Sequence, residues 1–200
     1  MTTRTLACTC LMALLLVLPF TGFPGRAAAD CAERDPAGML PAGDCAGWAR
    51  TGEPITASTV EELAALIDGS AYFYAAYGFV AAAFVNFAGE IAGEPAEITV
   101  SLFNQGSEEN ALALYQDEGS GTGEPVADWP GSGAARLQAG LGTVTFQFHE
   151  ACFFASLATT AGGEAGVAPA RCLAEAILAR IQAATPERVE SWAAIKQLFE

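Results

Sequence analysis

The chain has one histidine, and it stands beside residue types that bind metals. His149 is followed by Glu150 and Cys152. A metal site needs several such ligands converging from regularly spaced positions. Here there is one histidine, and export would oxidise the nearby cysteine, so the chain lacks the several ligands that a metal site needs. We therefore predict no metal site, and we expect His149 to be a surface side chain at the end of a strand.

Asp68 and the tyrosines that follow it are the next set that could do chemistry. Asp68 could act as a general base near Tyr72, Tyr74 and Tyr77, provided that the proton donor comes within hydrogen-bond reach. An Asp-Gly pair is equally typical of a turn, and Ser70 is an ordinary helix cap. The tyrosines could line an apolar pocket or belong to the core. The sequence leaves these alternatives open.

Trp129 lies in a long Gly/Pro loop, residues 119–133, and loops of this length are often functional. Its ring could make a surface contact or fold back over the sheet. The glycines that open the loop are not a phosphate loop, because no lysine follows and the chain leads to Pro125 rather than into a helix. A Gly-x-Ser-x-Gly elbow is absent. We predict no catalytic residues and no cofactor, and take Trp129, Tyr74 and Tyr77 as candidate ligand-binding residues.

Residues 1–29 have the layout of a secretory signal peptide. Arg4 precedes an apolar run over residues 6–20, and the small residues 27–29 suit cleavage before Asp30. An uncleaved anchor would need about 20 apolar residues. A lipid anchor at Cys31 would need different residues before the cysteine. We therefore predict a secreted or periplasmic protein of residues 30–200, with no stable membrane insertion after cleavage.

Cleavage leaves four cysteines, Cys31, Cys45, Cys152 and Cys172. An even number in an exported chain predicts two disulfides, with three possible pairings. Closeness in sequence favours Cys31–Cys45 and Cys152–Cys172. No Cys-x-x-Cys occurs, so we expect structural disulfides rather than a redox centre.

The acidic composition limits the classes of partner. The net charge is −14 for the whole chain, and it becomes −16 in the predicted mature chain, because the leader removes Arg4 and Arg26 but no acidic residue. Such a surface repels nucleic acid and anionic lipid, and it favours a cationic partner or weak binding of divalent cations. We predict no nucleic-acid binding.

The pattern of elements predicts a single α+β domain. A loop-rich lead-in, residues 30–47, precedes two overlapping capping boxes, in which Ser58 and Thr59 each have a glutamate three residues on. Ser70 would cap a second short helix, and Gly78 occupies the position of a left-handed C-terminal residue. Strands are predicted at residues 79–87, 97–102, 134–139, 143–149 and 152–157.

Further helices are predicted after Ser107 and from Pro169, and a last amphipathic helix would carry Val189, Trp192, Ile195 and Phe199. The short links between strands favour a mostly antiparallel sheet of about five to six strands with helices packed on one side.

Two segments carry a resemblance to a known family. They are residues 68–79, with Asp68-Gly69-Ser70 and Tyr77-Gly78-Phe79, and residues 106–115, ending in Leu114-Tyr115. From Leu40 to Leu157 the chain resembles a family of exported bacterial proteins of unknown function. The resemblance implies an exported α+β domain and supplies no catalytic residues. The chain departs from the family pattern at residues 149–151 and in its cysteines.

Three functions are compatible with these observations. We expect foremost an exported non-enzymatic domain that binds a protein partner or a small apolar ligand, through the sheet face near Trp129. The alternatives are a cofactor-free, hydrolase-like enzyme that uses Asp68 with a tyrosine, and a structural component of the cell envelope that docks through the final helix.

Overall fold

Seven antiparallel strands form one sheet in the computed structural model, which describes residues 31–140, 142–161 and 163–184. The strand order is β1-β2-β3-β7-β6-β5-β4. The strands are β1 Ala49–Ala57, β2 Ala81–Ile91, β3 Glu94–Asn104, β4 Glu124–Pro125, β5 Ala135–Ala139, β6 Val144–Glu150 and β7 Phe153–Thr159. The predicted signal peptide and the predicted final helix lie outside the described residues.

The predicted α+β class is confirmed, and the strand count is corrected from five or six to seven. The two strands absent from the sequence prediction are the sheet edges, β1 and β4. The register of β1 shifts between Thr51 and Ile55, where Gly52 takes a φ of +80° and Pro54 follows. A bulge of this kind breaks the alternation by which a strand is recognised. β4 has only two residues.

Four helices accompany the sheet: α1 Val60–Leu66, α2 Ala71–Ala75, α3 Glu108–Gln116 and α4 Glu164–Ala184. Short 3₁₀ turns occupy Pro36–Met39 and Glu118–Ser120. Thr59 forms the capping box of α1 with Glu62, so one of the two overlapping boxes is the one used. Gly78 has the predicted left-handed conformation, with a φ of +78°.

The predicted start of α2 at Ser70 is confirmed in position, whereas the helix start predicted at Pro169 was wrong. Ser70 occupies the N-cap position of α2, but its side chain makes no capping hydrogen bond. Pro169 lies inside α4, which begins at Glu164, rather than at its first turn. The missing N–H of Pro169 costs the helix one bond, and the buried stripe from Ala170 to Ile181 holds the helix on the sheet despite that loss.

Helices cover both sides of the sheet, which corrects the prediction that they pack on one side. Along β3, Ile98, Val100 and Leu102 join one apolar cluster, whereas Phe103 joins another. The first cluster is covered by α4 and the lead-in, and we call this the closed side. The second is covered by α1, α2 and α3, which are short, and we call this the open side.

The lead-in is held on the closed side by two disulfides. Cys31 pairs with Cys152 and Cys45 with Cys172, each with a Cα–Cα distance of 6.0 Å. The four cysteines are therefore in disulfides, as predicted, but the favoured pairing was wrong. Pairing the cysteines nearest in sequence gave the wrong result, because the lead-in runs back over the sheet. It reaches the turn after β6 and the surface of α4.

Buried Asn104 adds a polar anchor for the lead-in. Its amide Nδ2 donates to the carbonyls of Cys31 and Arg34 at 2.6 and 2.9 Å, and its Oδ1 accepts from the Gly106 N–H. Every polar atom of this fully buried side chain thus has a partner. The end of β3 and the start of the described chain are fixed to one another by this single side chain.

Candidate functional site

The three predicted ligand-binding residues lie on opposite sides of the sheet. Trp129 is half-buried on the closed side, with its ring 5.4 Å from that of Phe146 and 4.9 Å from that of Phe148. Tyr74 and Tyr77 pack on the open side. The structure therefore does not bring Trp129 together with the tyrosines, and its ring takes the folded-back alternative.

The loop that carries Trp129 is fastened to a buried carboxylate. Glu150 is 6% exposed and accepts hydrogen bonds from the Ser132 hydroxyl and the Gly133 N–H, both at 2.8 Å. A Cβ on Gly131 would lie 2.5 Å from the Trp129 indole nitrogen and 2.7 Å from a Glu150 oxygen. The loop is thus packed too closely for its tryptophan to turn outward without rearrangement.

Tyr74 and Tyr77 are engaged in packing and hydrogen bonding. Tyr74 stacks on Phe103 with ring centroids 4.1 Å apart, and the Tyr77 hydroxyl donates to the Asp117 carboxylate. This hydrogen bond raises the pKa of Tyr77 and lowers the pKa of Asp117. The aromatic cluster fills the space beneath α1 and α2.

Asp68 does not meet the tyrosines in the way that the hydrolase alternative requires. It is exposed in the turn between α1 and α2, with a φ of +37°. The carboxylate that reaches this cluster is that of Asp117, after α3, which bonds Tyr77 across 40 positions of sequence. No sequence pattern links these two residues, so only the fold could reveal the pair.

His149 is buried, which corrects its prediction as a surface residue. It is 5% exposed, its ring lies 5.1 Å from that of Tyr115, and its Nε2 accepts from the Ala134 N–H at 3.1 Å. Burial lowers the pKa of His149, while the nearby charges of Glu150 and Glu108 oppose that shift. The neutral ring is the form that fits, because Nε2 must remain unprotonated to accept.

Arg136 organises a polar network that sequence analysis missed. The side chain is 8% exposed on the open side of β5. Its Nε donates to Gln147 Oε1 at 2.7 Å, and its terminal nitrogens donate to the Tyr115 carbonyl at 2.7 Å and the Ser120 hydroxyl at 2.8 Å. The Gln147 amide donates to the Ser120 carbonyl at 2.7 Å. The network ties α3 and the following turn to the sheet.

Neutral partners compensate the buried charge of Arg136. The Tyr115 carbonyl is at the C-terminal end of α3, where carbonyls lack helical partners and the helix dipole favours a cation. The guanidinium carbon also lies 4.6 Å from the centroid of the Tyr115 ring. Burial lowers the pKa of Arg136 from its very high ordinary value. One feature of the sequence could have indicated this network. The alternation along β6 places Gln147 on the other face of the strand from Phe146 and Phe148.

A row of uncharged side chains crosses the part of the open side that the helices leave uncovered. Cross-strand pairing places one member on each strand from β1 to β5 in sheet order, at the usual spacing of about 4.8 Å. Each member is exposed or half-buried. We call this row the open face: Thr51, Asn86, Thr99, Ala158, Thr145 and Gln138.

Exposed apolar side chains lie on the elements at one end of this row. Among the described residues the exposed large hydrophobic side chains are Ile55, Leu66 and Tyr72, which are 59%, 41% and 72% exposed. All three come from β1, α1 and α2, consecutive elements of the open side. A shallow depression beside Thr51 and Asn86 includes Ile55 and half-buried Phe84. We call Ile55, Leu66 and Tyr72 the apolar corner.

The described residues contain no group of three or more histidine, cysteine, aspartate or glutamate side chains that could hold a metal ion. Within the same part of the chain no helix has the length and apolar character needed to cross a bilayer. Comparisons of the chain with protein-family models, with characterised proteins and with solved structures find no match.

Replacing Arg136 should destabilise the fold far more than replacing an arginine at the surface. Arg136→Met leaves Gln147, Ser120 and the Tyr115 carbonyl without their donor, and we expect a loss of about 3 kcal/mol. Arg180→Met is the control, because Arg180 pairs with Asp44 at the surface and should cost at most about 1 kcal/mol. Urea denaturation measures both losses; equal losses would contradict the role of the network.

Stability should fall as the pH drops below the ordinary pKa of histidine, about 6.5. Because burial lowers the pKa of folded His149, the unfolded chain binds a proton at a higher pH, and protonation favours unfolding. In His149→Gln, the free energy of unfolding should depend less steeply on pH. Denaturation of both proteins between about pH 5 and 8 keeps clear of the carboxylates, which titrate near 4. Identical slopes would show that His149 does not carry the effect.

Proposed function

We propose that this chain is an exported, non-catalytic domain that binds a protein partner through the open face and the apolar corner. The observation that carries the proposal is the unequal cover of the sheet. The closed side is covered by a helix of 21 residues and the lead-in, whereas α1 and α2, over the β1 end of the open side, have 7 and 5 residues. The uncovered sheet surface is what a partner would contact.

The shape of this surface favours a protein over a small apolar ligand. Small-molecule sites are concave and bury most of their ligand. The open face is a sheet surface, and the depression beside Thr51 and the one beside Ala88 and Glu90 are both wide open to solvent. The aromatic side chains that could have lined a pocket, Tyr74 and Trp129, are packed against their own core.

The charges around the open face favour a positively charged partner. Ala88 and Glu90 continue the face along β2, and Glu97 continues it along β3, since alternate residues share a side. Glu53 lines the depression at the other end, where it pairs with Arg50 at 3.4 Å, so Glu90 and Glu97 carry the negative charge of this face. The partly exposed arginines Arg171 and Arg180 belong to α4 on the closed side. A basic partner would gain in association rate from this field, and a second copy of the acidic chain would be repelled.

Export is the part of the proposal that rests on the cysteines and the leader. The two disulfides indicate an oxidising environment. The signal-like residues 1–29 and the resemblance to exported bacterial proteins support secretion or a periplasmic location. The hydrolase alternative draws no support from Asp68, because that residue is exposed and Tyr77 bonds Asp117 instead.

Photo-cross-linking tests the proposed surface and captures whichever protein binds there. Tyr72→p-benzoylphenylalanine places a photoreactive ring in the apolar corner, and Ala168→p-benzoylphenylalanine places one at an exposed position of α4 on the closed side. We expect a discrete cross-linked protein from position 72 in cells that make the chain, and we expect that product to be absent from position 168.

Competition shows whether the cross-link is specific. Excess wild-type chain should suppress the product, whereas Ile55→Asp should compete roughly tenfold less well, because a charge replaces an apolar contact worth about 1.4 kcal/mol or more. Ile55 is 59% exposed, so this change leaves the core intact. The same product from position 168, or equal competition by Ile55→Asp, would contradict the proposal.

A further inference from the structure

The two disulfides differ in how accessible they are to an attacking thiol. Cys31 and Cys152 are 7% and 0% exposed, so both ends of that bond are buried. Cys45 is 2% exposed, but its partner Cys172 is an exposed residue. Cys172 shares the solvent stripe of α4 with three exposed alanines at helical spacing, Ala165, Ala168 and Ala179. The second disulfide can therefore be approached from solvent at one end.

We propose that Cys172 is a thiol-exchange site, at which a dithiol reductant opens the Cys45–Cys172 bond while the Cys31–Cys152 bond stays closed. Exchange requires a thiolate to reach a disulfide sulfur, so access decides which bond reacts. This inference does not depend on the proposed function, because it concerns the closed side and not the open face.

The reaction balances with a dithiol as the reductant. Its thiolate attacks the Cys172 sulfur, the bond to Cys45 breaks, and the electron pair leaves on the Cys45 sulfur, which takes a proton from water. The second thiol of the reductant, as a thiolate, then attacks the reductant's first sulfur, which is bonded to Cys172 in the mixed disulfide. Cys172 leaves as a thiolate and is protonated in turn. The protein gains two electrons and two protons, and the reductant becomes a disulfide.

Opening this bond would free the segment that leads into β1. The polar link between this part of the lead-in and α4 is the ion pair of Asp44 with Arg180, at 2.8 Å and partly exposed, and such pairs contribute little; Leu40 and Trp48, near the two ends of the segment, are buried in the core. Trp48 follows, with its ring against Gly89 on β2, and β1 begins at the next residue. Residues 40–51 should therefore loosen on reduction, while Cys31 remains tied to Cys152.

Stepwise reduction of the folded mature chain tests the proposal. Dithiothreitol is added for increasing times, free thiols are blocked with N-ethylmaleimide, and the remaining cysteines are then reduced and alkylated with iodoacetamide. Arginines at positions 34, 50, 136, 171 and 180 place each cysteine in its own tryptic peptide. We expect Cys45 and Cys172 to be blocked together, on the order of tenfold faster than Cys31 and Cys152.

Denaturant provides the control. In guanidinium chloride the two bonds should be reduced at similar rates, because the fold no longer shields either of them. Hydrogen exchange of the singly reduced chain should show faster exchange in residues 40–51 and little change in β3. Equal rates in the folded chain, faster reduction of Cys31–Cys152, a difference that persists in denaturant, or unchanged exchange in residues 40–51 would each overturn the proposal.

Discussion

Two disulfides that join the start of the described chain to its far half determine how the sheet is covered. Cys31–Cys152 and Cys45–Cys172 close loops of 121 and 127 residues, and a cross-link over such a length contributes about 4–5 kcal/mol in the chain-entropy model. The lead-in has few apolar residues of its own, yet Leu40 is buried beneath this covalent frame. The two bonds hold the lead-in over the closed side, and α4 covers the rest of that side through its own buried stripe.

The open side is built on a different principle. Its cover is short, and a buried arginine rather than a disulfide fastens α3 to the strands. Arg136 satisfies the C-terminal carbonyl of Tyr115 and the side chain of Gln147 together, so one side chain links a helix, a turn and two strands. Beyond the reach of these short helices the sheet ends in the uncharged open face. One side of the sheet is thus covered by α4 and the disulfide-bonded lead-in, and the other side has an exposed surface that a partner can contact.

Local patterns in the sequence predicted local structure well and long-range pairing badly. The alternation of Ile98, Val100 and Leu102 indicated the inner face of β3, and the capping box at Thr59 marked the start of α1, because both depend on neighbours in sequence. The disulfide pairing depends on where the lead-in returns, and proximity in sequence carries no information on that. Likewise, no local pattern in the sequence indicated the Arg136 network, because the turn and helix that bury Arg136 precede it in sequence and come together with it only in the folded chain.

The disulfide connectivity of the unreduced protein, measured on residues 30–200, tests the described structure most directly. Trypsin separates all four cysteines, so mass spectrometry of the unreduced digest reads the pairs directly. The account predicts linked peptides for Cys31–Cys152 and Cys45–Cys172. Peptides linked as Cys31–Cys45 and Cys152–Cys172 would contradict it, because the lead-in would then have no covalent tie to the closed side.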